Sequence, residues 1–211
     1  MSYKLHYFAG YGRGEALRML LAHAKVELEN VNYTIESLPD AKNSGNLEFG
    51  QLPVLEHDGK FFSQSNAILR ALGKIYGYYP EDPFTAYRVD STIDLVGDLL
   101  TQYYKAAFYA SGELQKTLFS EFYGKTLPTF FEALQKRIDQ NSSPDKVVGD
   151  KMTIADFALA SVAYSSFMNE SNPSKAEQFT VLEKFPKLLD YFTGLGETMK
   201  EYLETRPKCP L

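Results

Sequence analysis

The stretch "LHYFAGYGRGEALR", residues 5–18, sets Tyr7 and Arg13 on either side of a glycine-rich turn. A phenol with a pKa of about 10 is protonated at neutral pH and offers an anion a hydrogen bond. Arg13 adds a fixed positive charge. Gly10, Gly12 and Gly14 also raise a phosphate-binding loop, but their spacing is GxGxG rather than GxGxxG and no GK[ST] follows. No acidic residue is clearly positioned to take a ribose about 20 residues on, so a dinucleotide site is disfavoured. Tyr7 at the end of a strand and Arg13 in the first turn of the next helix instead reach the crevice where open α/β sheets bind ligands. Without a ligand, Tyr7 reads as a core residue and Arg13 as a surface charge, although a cation at a helix start opposes the helix dipole.

Three further groups carry possible chemistry. In "GQLPVL" Pro53 cannot donate to a β-ladder and marks an edge or a turn. A cis Leu52–Pro53 bond there leaves the Leu52 backbone able to pair with an extended ligand. Gln64 and Ser65 stand at a helix start, where unpaired amides favour a carboxylate and where an ordinary cap is equally at home. Asp90, Asp94 and Asp98 recur at i, i+4 and i+8. They read as a solvated face, one member of which is able to meet an ammonium group. His6, His23 and His57 share no ligand spacing and read as structural, so no metal is expected.

The elements that position these residues change character along the chain. Tyr3 to Phe8 predicts a strand, and Leu17, Leu20, Leu21 and Ala24 share one face of a helix over Glu15 to Ala24. A second strand is predicted near Glu27 to Tyr33, followed by the polar loop "SLPDAKNSGNLEFG". Asp58-Gly59 between two short apolar runs predicts a hairpin, and Ser65 opens another helix. The order β-α-β, loop, β-β-α gives an α/β unit with a mixed four-stranded sheet over residues 1–78. A proline-bearing linker follows at 79–84, then an all-α unit at 85–211. Helices are expected over Tyr87 to Ala110, Leu114 to Gln140, Met152 to Glu170 and Lys187 to Thr205. "MTIADFALASVAYSSFM" is apolar nearly all round and suits a buried central helix. Thr153 and Asp156 form a capping box at its start.

Composition bounds the rest. With 211 residues and 44% hydrophobic content the chain can bury a substantial core. No apolar run approaches the roughly 20 residues of a membrane span, and the N-terminus lacks a signal-peptide pattern. Cys209 is the single cysteine, which excludes an internal disulfide and suits a reducing, cytoplasmic compartment. The net charge of −5, with 22 dispersed basic residues, argues against a nucleic-acid surface.

Taken together, "YKLHYFAGYGRGEALRMLLAHA", "FGQLPVLEHDGKFFSQSNAILRAL", "YRVDSTIDLVGDLL" and "GDKMTIADFALA" make the chain resemble the cytosolic glutathione S-transferases, and most of all their sigma class. The resemblance spans essentially the whole chain. It implies a thioredoxin-like N-terminal domain, an all-helical C-terminal domain, a homodimer, and glutathione as co-substrate. Tyr7 then matches the tyrosine that hydrogen-bonds the glutathione sulfur, and Arg13 the arginine that assists thiolate formation. The glycines of the turn clear space above that sulfur.

By the same resemblance, Gln51 and Leu52 precede the cis-proline, Pro53, where the backbone pairs with the cysteinyl part of glutathione. Gln64 and Ser65 hold its γ-glutamyl carboxylate, and Lys42 its glycyl carboxylate. Asp98 reaches the γ-glutamyl amine across the dimer. Leu38 stands where the family has a tryptophan, and the chain contains no tryptophan at all. The implied activity is addition of glutathione to hydrophobic electrophiles. The alternatives are a prostaglandin D synthase type of isomerase and a non-catalytic relative. The electrophile pocket is expected between Phe8, Gly10 and Gly12 on one side and Tyr103, Tyr104 and Phe108 on the other, with Leu211 at its rim.

Overall fold

The computed structural model describes residues 2–210. Strand β1 (Tyr3–Phe8) runs into a 3-10 turn at Gly12–Gly14 and helix α1 (Glu15–His23). Next come β2 (Leu28–Tyr33), α2 (Leu38–Asn43), β3 (Val54–His57), β4 (Lys60–Ser63) and α3 (Ser65–Tyr76). The sheet order is β2-β1-β3-β4, with β1 parallel to β2 and both other pairs antiparallel. The β1-α1-β2 crossover requires the parallel pair and the Asp58-Gly59 turn, with both residues at positive φ, makes the hairpin.

The helical half comprises α4 (Pro83–Phe108), α5 (Gly112–Glu121), α6 (Leu127–Asp139), α7 (Ile154–Ser165), α8 (Lys175–Leu182), α9 (Pro186–Thr198) and α10 (Lys200–Thr205). Helix α7 is buried along Ile154 to Ala163 and packs against α1, α3, α4 and α9, so it ties the sheet-bearing half to the helices. The capping box at its start is present, and the buried Asp156 accepts hydrogen bonds from Thr153 N, Thr153 Oγ1, Val147 N and Tyr191 Oη. Burial raises the Asp156 carboxyl pKa, against the pull of those donors.

Several expected elements are redrawn. The stretch Leu114 to Gln140 is two helices joined by a π-helical turn at Phe122–Thr126. Pro128, just inside α6, lacks an N–H and crowds the carbonyl four residues back, which a wider turn accommodates. Helix α7 stops at Ser165 rather than Glu170 because Asn169 and Asn172 donate to the Ser165 and Ser166 carbonyls, satisfying groups a further turn would have used. The 37–50 loop contains the short α2, whose Pro39 suits a first helical turn. Helix α8 lies in a stretch for which no helix was expected.

The 77–82 connection is anchored as well. Ile154 N donates to the Tyr78 carbonyl, Tyr78 Oη is 2.7 Å from His23 Nδ1, and Tyr79 Oη donates to Asp90.

Candidate active site

The register aligns the candidate residues at one end of the sheet. His6 pairs with Val54, and Val54 with Ser63, so the next residues outward, Tyr7, Pro53 and Gln64, form a row across β1, β3 and β4. The Leu52–Pro53 bond is cis. Gln64 caps α3 at φ 72° and ψ 101°, a conformation that a non-glycine residue rarely holds and that often marks a ligand site.

Tyr7 Oη accepts a hydrogen bond of 3.0 Å from the Arg13 backbone N–H. With an acceptor lone pair engaged, the phenolic proton is free to point elsewhere. Burial raises the Tyr7 pKa, against the Arg13 N–H and the charges of Arg13 and Arg18, so the hydroxyl stays protonated near neutral pH. The Arg13 guanidinium lies 5.5 Å from the Tyr104 ring centroid and donates to Thr101 Oγ1 at 3.3 Å. It therefore leans on α4. The combination of a neutral phenol donor beside a cation suits stabilisation of an anion that forms next to Tyr7.

The glycines serve this tyrosine directly. A Cβ on Gly12, at φ 40°, would come 2.5 Å from Tyr7 Oη, and one on Gly14 would come 3.0 Å from the Tyr7 ring. The space that the sequence reading assigned to a sulfur is, at Gly12 and Gly14, the space of the Tyr7 side chain. Gly12→Ala is expected to displace the hydroxyl and lower kcat/KM of the reaction that it assists by about tenfold or more, since one misplaced donor forfeits most of its hydrogen bond. Steady-state kinetics, with circular dichroism to verify the fold, checks this.

A cavity of about 550 Å³ opens between this turn and the helices. All six described residues expected for the electrophile pocket line it: Phe8, Gly10, Gly12, Tyr103, Tyr104 and Phe108. Leu211 lies outside the described residues. Tyr7, Arg13 and Leu52 line the same cavity. Gln51, Lys42, Gln64, Ser65, Asp98 and Leu38 do not. Gln51, Lys42, Gln64 and Asp98 are exposed and Ser65 half-buried, whereas Leu38 packs on the small cluster of Ala41, Leu47 and Val54. Asp90 and Asp94 are taken by Arg70, at 2.7 and 3.3 Å.

Sequence reasoning missed the part of the cavity wall that comes from α7, its C-terminal extension and α8 through Val162, Ser165, Phe167 and Gln178. Leu100 could have been found, since it shares the four-residue period of Tyr104 and Phe108. Burial raises the Tyr103 pKa to about 12 and pushes Tyr104 up as well, so both phenols are neutral.

The back of the turn is held by the C-terminal segment. Tyr11 Oη donates to the Pro207 carbonyl and accepts from Cys209 N, while the Arg206 guanidinium stacks 3.9 Å from the Tyr11 ring centroid. Glu15, fully buried, pairs with Arg18 and Arg206 and accepts from Tyr202 Oη. The turn that carries Tyr7's partners is thus clamped from the side away from the cavity.

The histidines are structural, with His6 between Tyr33 and Glu56 and His57 stacked on Tyr3. Among the described residues no group of three or more His, Cys, Asp or Glu could hold a metal ion, and no helix is long and apolar enough to cross a membrane.

A thioredoxin-like sheet with a cis-proline beside a half-buried tyrosine, joined to a helical bundle, defines the class. The N-terminal domain of glutathione S-transferase matches residues 3–73 and its C-terminal domain residues 97–206. The chain belongs to the glutathione S-transferase family, and it is a transferase for which glutathione is the co-substrate.

Among its relatives, probable glutathione S-transferase 5 of Caenorhabditis elegans is 30% identical, over 100% of this chain and 99% of the relative. A glutathione S-transferase of the hookworm Necator americanus, solved as a monomer, superposes with a TM-score of 0.84 at 32% identity, covering 100% of both chains. The prostaglandin synthase D of Nilaparvata lugens gives a TM-score of 0.84 at 26% identity, covering 98% of this chain and 99% of that one.

Proposed function

We propose that the chain adds glutathione to hydrophobic electrophiles, with Tyr7 donating its hydroxyl to the sulfur and Arg13 supplying positive charge beside it. The observation that carries this reading is the Tyr7 hydroxyl itself: half-buried, neutral, and held by the Arg13 N–H so that its own proton is available. A free thiol with a pKa near 8.5 is only a few per cent ionised at pH 7, and the thiolate is the nucleophile. A lowering of two units, about 2.7 kcal/mol, leaves most of it ionised.

The row of Tyr7, Pro53 and Gln64 supports the placement of glutathione along this end of the sheet. Gln51 and Leu52 then present backbone to its cysteinyl part, Gln64 and Ser65 take the γ-glutamyl carboxylate, and Lys42, with Leu38 nearby on α2, takes the glycyl carboxylate. The electrophile occupies the cavity against Phe8, Tyr103, Tyr104 and Phe108. The glutathione-binding unit spans residues 1–78, the linker 79–84 and the helical unit 85–211.

Asp98 acts across a homodimer in this reading. Large exposed apolar side chains on β4, α3 and α4 (Phe62, Ile75, Phe84 and Tyr87) support such an interface. A sigma-class, cytoplasmic enzyme fits the motifs and the single cysteine. The likeness to a prostaglandin synthase D favours a second reading, a glutathione-dependent isomerase at the same site.

Retention on immobilised glutathione, followed by turnover of a chlorodinitrobenzene-type electrophile, tests the first reading. Retention with turnover is expected, and retention without conjugation of any electrophile would overturn it. Sedimentation tests the dimer, and a fully active monomer would remove Asp98 from the site.

A further inference from the structure

The cavity beside Tyr7 is lined mostly by apolar side chains, and two of its polar lining residues, Gln178 and Ser165, carry buried atoms that the protein leaves without partners. Gln178, on α8, is only 2% exposed, and its side-chain amide nitrogen makes no hydrogen bond. Ser165 Oγ, at the end of α7, is buried and unpartnered as well. Both residues line the same cavity as Tyr7 and Arg13. The adjacent hydroxyls differ, since Ser161 donates to the Ala158 carbonyl and Ser166 to that of Val162. Two of the polar groups here are spent within the helix and two are left over.

A buried amide without a partner is held at a free-energy cost that a ligand can recover by supplying the missing hydrogen bond. Buried polar side chains are otherwise nearly always satisfied. The wall around Gln178 and Ser165 is apolar, with Val162 and Phe167 buried beside them. Among the described residues, Arg13 is the one lysine or arginine on the cavity lining, and it belongs to the turn next to Tyr7. No cation on the lining stands ready to neutralise a carboxylate at the Gln178 end. A neutral oxygen fits: a carbonyl that accepts from the amide, or a hydroxyl that also exchanges a hydrogen bond with Ser165.

We propose that Gln178 and Ser165 form a subsite for a neutral oxygen on the electrophile. The preferred electrophile is an elongated apolar molecule with its reactive carbon near Tyr7 and a carbonyl or hydroxyl group at the far end. The inference rests on the conjugation reading, since it takes the Tyr7 end of the cavity as the place where sulfur attacks. For a conjugated enone, the thiolate sulfur bonds to the β-carbon and the carbon–carbon π pair moves onto the enolate. The proton given up by the thiol then returns to the α-carbon, so the addition balances without a further reactant. The remote oxygen takes no part in bond making and acts only in binding and orientation.

The test uses two linear enones of equal length, one ending in methyl and the other in a methyl ketone. The readout is the ratio of their kcat/KM values with the full-length protein. Desolvation alone favours the methyl-ended compound in an apolar cavity, so a ratio above one in favour of the ketone is diagnostic. The wild-type protein is expected to prefer the ketone by about tenfold, the discrimination of a site built to hydrogen-bond one group. Gln178→Leu is expected to bring the ratio to one or below, and Ser165→Ala to reduce it. The KM for glutathione, measured in parallel, separates this effect from damage at the sulfur end.

If Gln178→Leu does not fold, Gln178→Met with Ser165→Ala gives the same comparison. A wild-type ratio of one or less, or a ratio that neither variant changes, overturns the subsite while leaving conjugation intact. Failure of the wild-type protein to conjugate either enone or a chlorodinitrobenzene-type electrophile overturns both.

Discussion

Tyr7→Phe is expected to lower kcat/KM for conjugation by about 10- to 100-fold near pH 7, the equivalent of losing one hydrogen bond to a charged group. The structure gives the reason for a loss of that size. The Tyr7 hydroxyl accepts from Arg13 N and is otherwise free to donate, and burial keeps it protonated. Its donation favours the thiolate over the thiol and so lowers the thiol pKa. At pH 7 a thiol of pKa 8.5 is about 3% ionised and one of pKa 6.5 about 75%, so ionisation alone supplies about 25-fold.

The pH dependence follows with a definite sign. Wild-type activity climbs as pH rises through the depressed thiol pKa and then levels off, whereas the variant's climb is displaced to higher pH. The deficit is therefore largest below pH 7 and shrinks above about pH 8.5. A variant with full activity at pH 6.5 would remove Tyr7 from the mechanism. The substitution also strips the Arg13 N–H of its acceptor, so thermal midpoints are compared to show that the fold persists.

The largest expected loss of stability comes from Asp156→Ala. Its carboxylate gathers Thr153 N, Thr153 Oγ1, Val147 N and Tyr191 Oη in a fully buried place, and alanine leaves all four donors without that acceptor. A cost of about 3–5 kcal/mol follows. For a chain of this size that is about 10 °C in thermal midpoint. Because α7 supplies part of the cavity wall, the variant should lose activity at a lower temperature, in step with unfolding. A fall of less than about 2 °C would show that the network contributes little. Asp156→Asn, which keeps the shape and one acceptor oxygen, should fall between the two.

The local chemistry was legible where sequence and structure share a short range. The strand-turn-helix around Tyr7, the Asp-Gly hairpin and the Thr153–Asp156 capping box each involve residues a few positions apart, and each is present. Of the pocket residues, Tyr104 and Phe108 share the four-residue helical period on α4, and the others were legible only through the family resemblance. What was not legible depends on distant contacts. Gln178 reaches the cavity because α8 packs on α6 and α9, and nothing in its own neighbourhood marks it. Glu15 sits in the first turn of α1 as an ordinary acidic cap would, and only the C-terminal Arg206 and Tyr202 make it a buried ion cluster. The closeness of Gly12 to Tyr7 was hidden for the same reason. A sequence shows that space is kept, and the folded chain shows that Tyr7 fills it.

The central claim is that Tyr7 and Arg13 stabilise a thiolate, and the most direct measurement is a titration of the bound sulfur. Ultraviolet difference spectra of the glutathione complex, taken from pH 5 to 9, report thiolate directly. The account predicts a midpoint at least one unit below the free-thiol value of about 8.5 in the wild-type protein, and a return toward about 8.5 in Tyr7→Phe. A wild-type midpoint at the free-thiol value, or a lowered midpoint that Tyr7→Phe leaves in place, would contradict it.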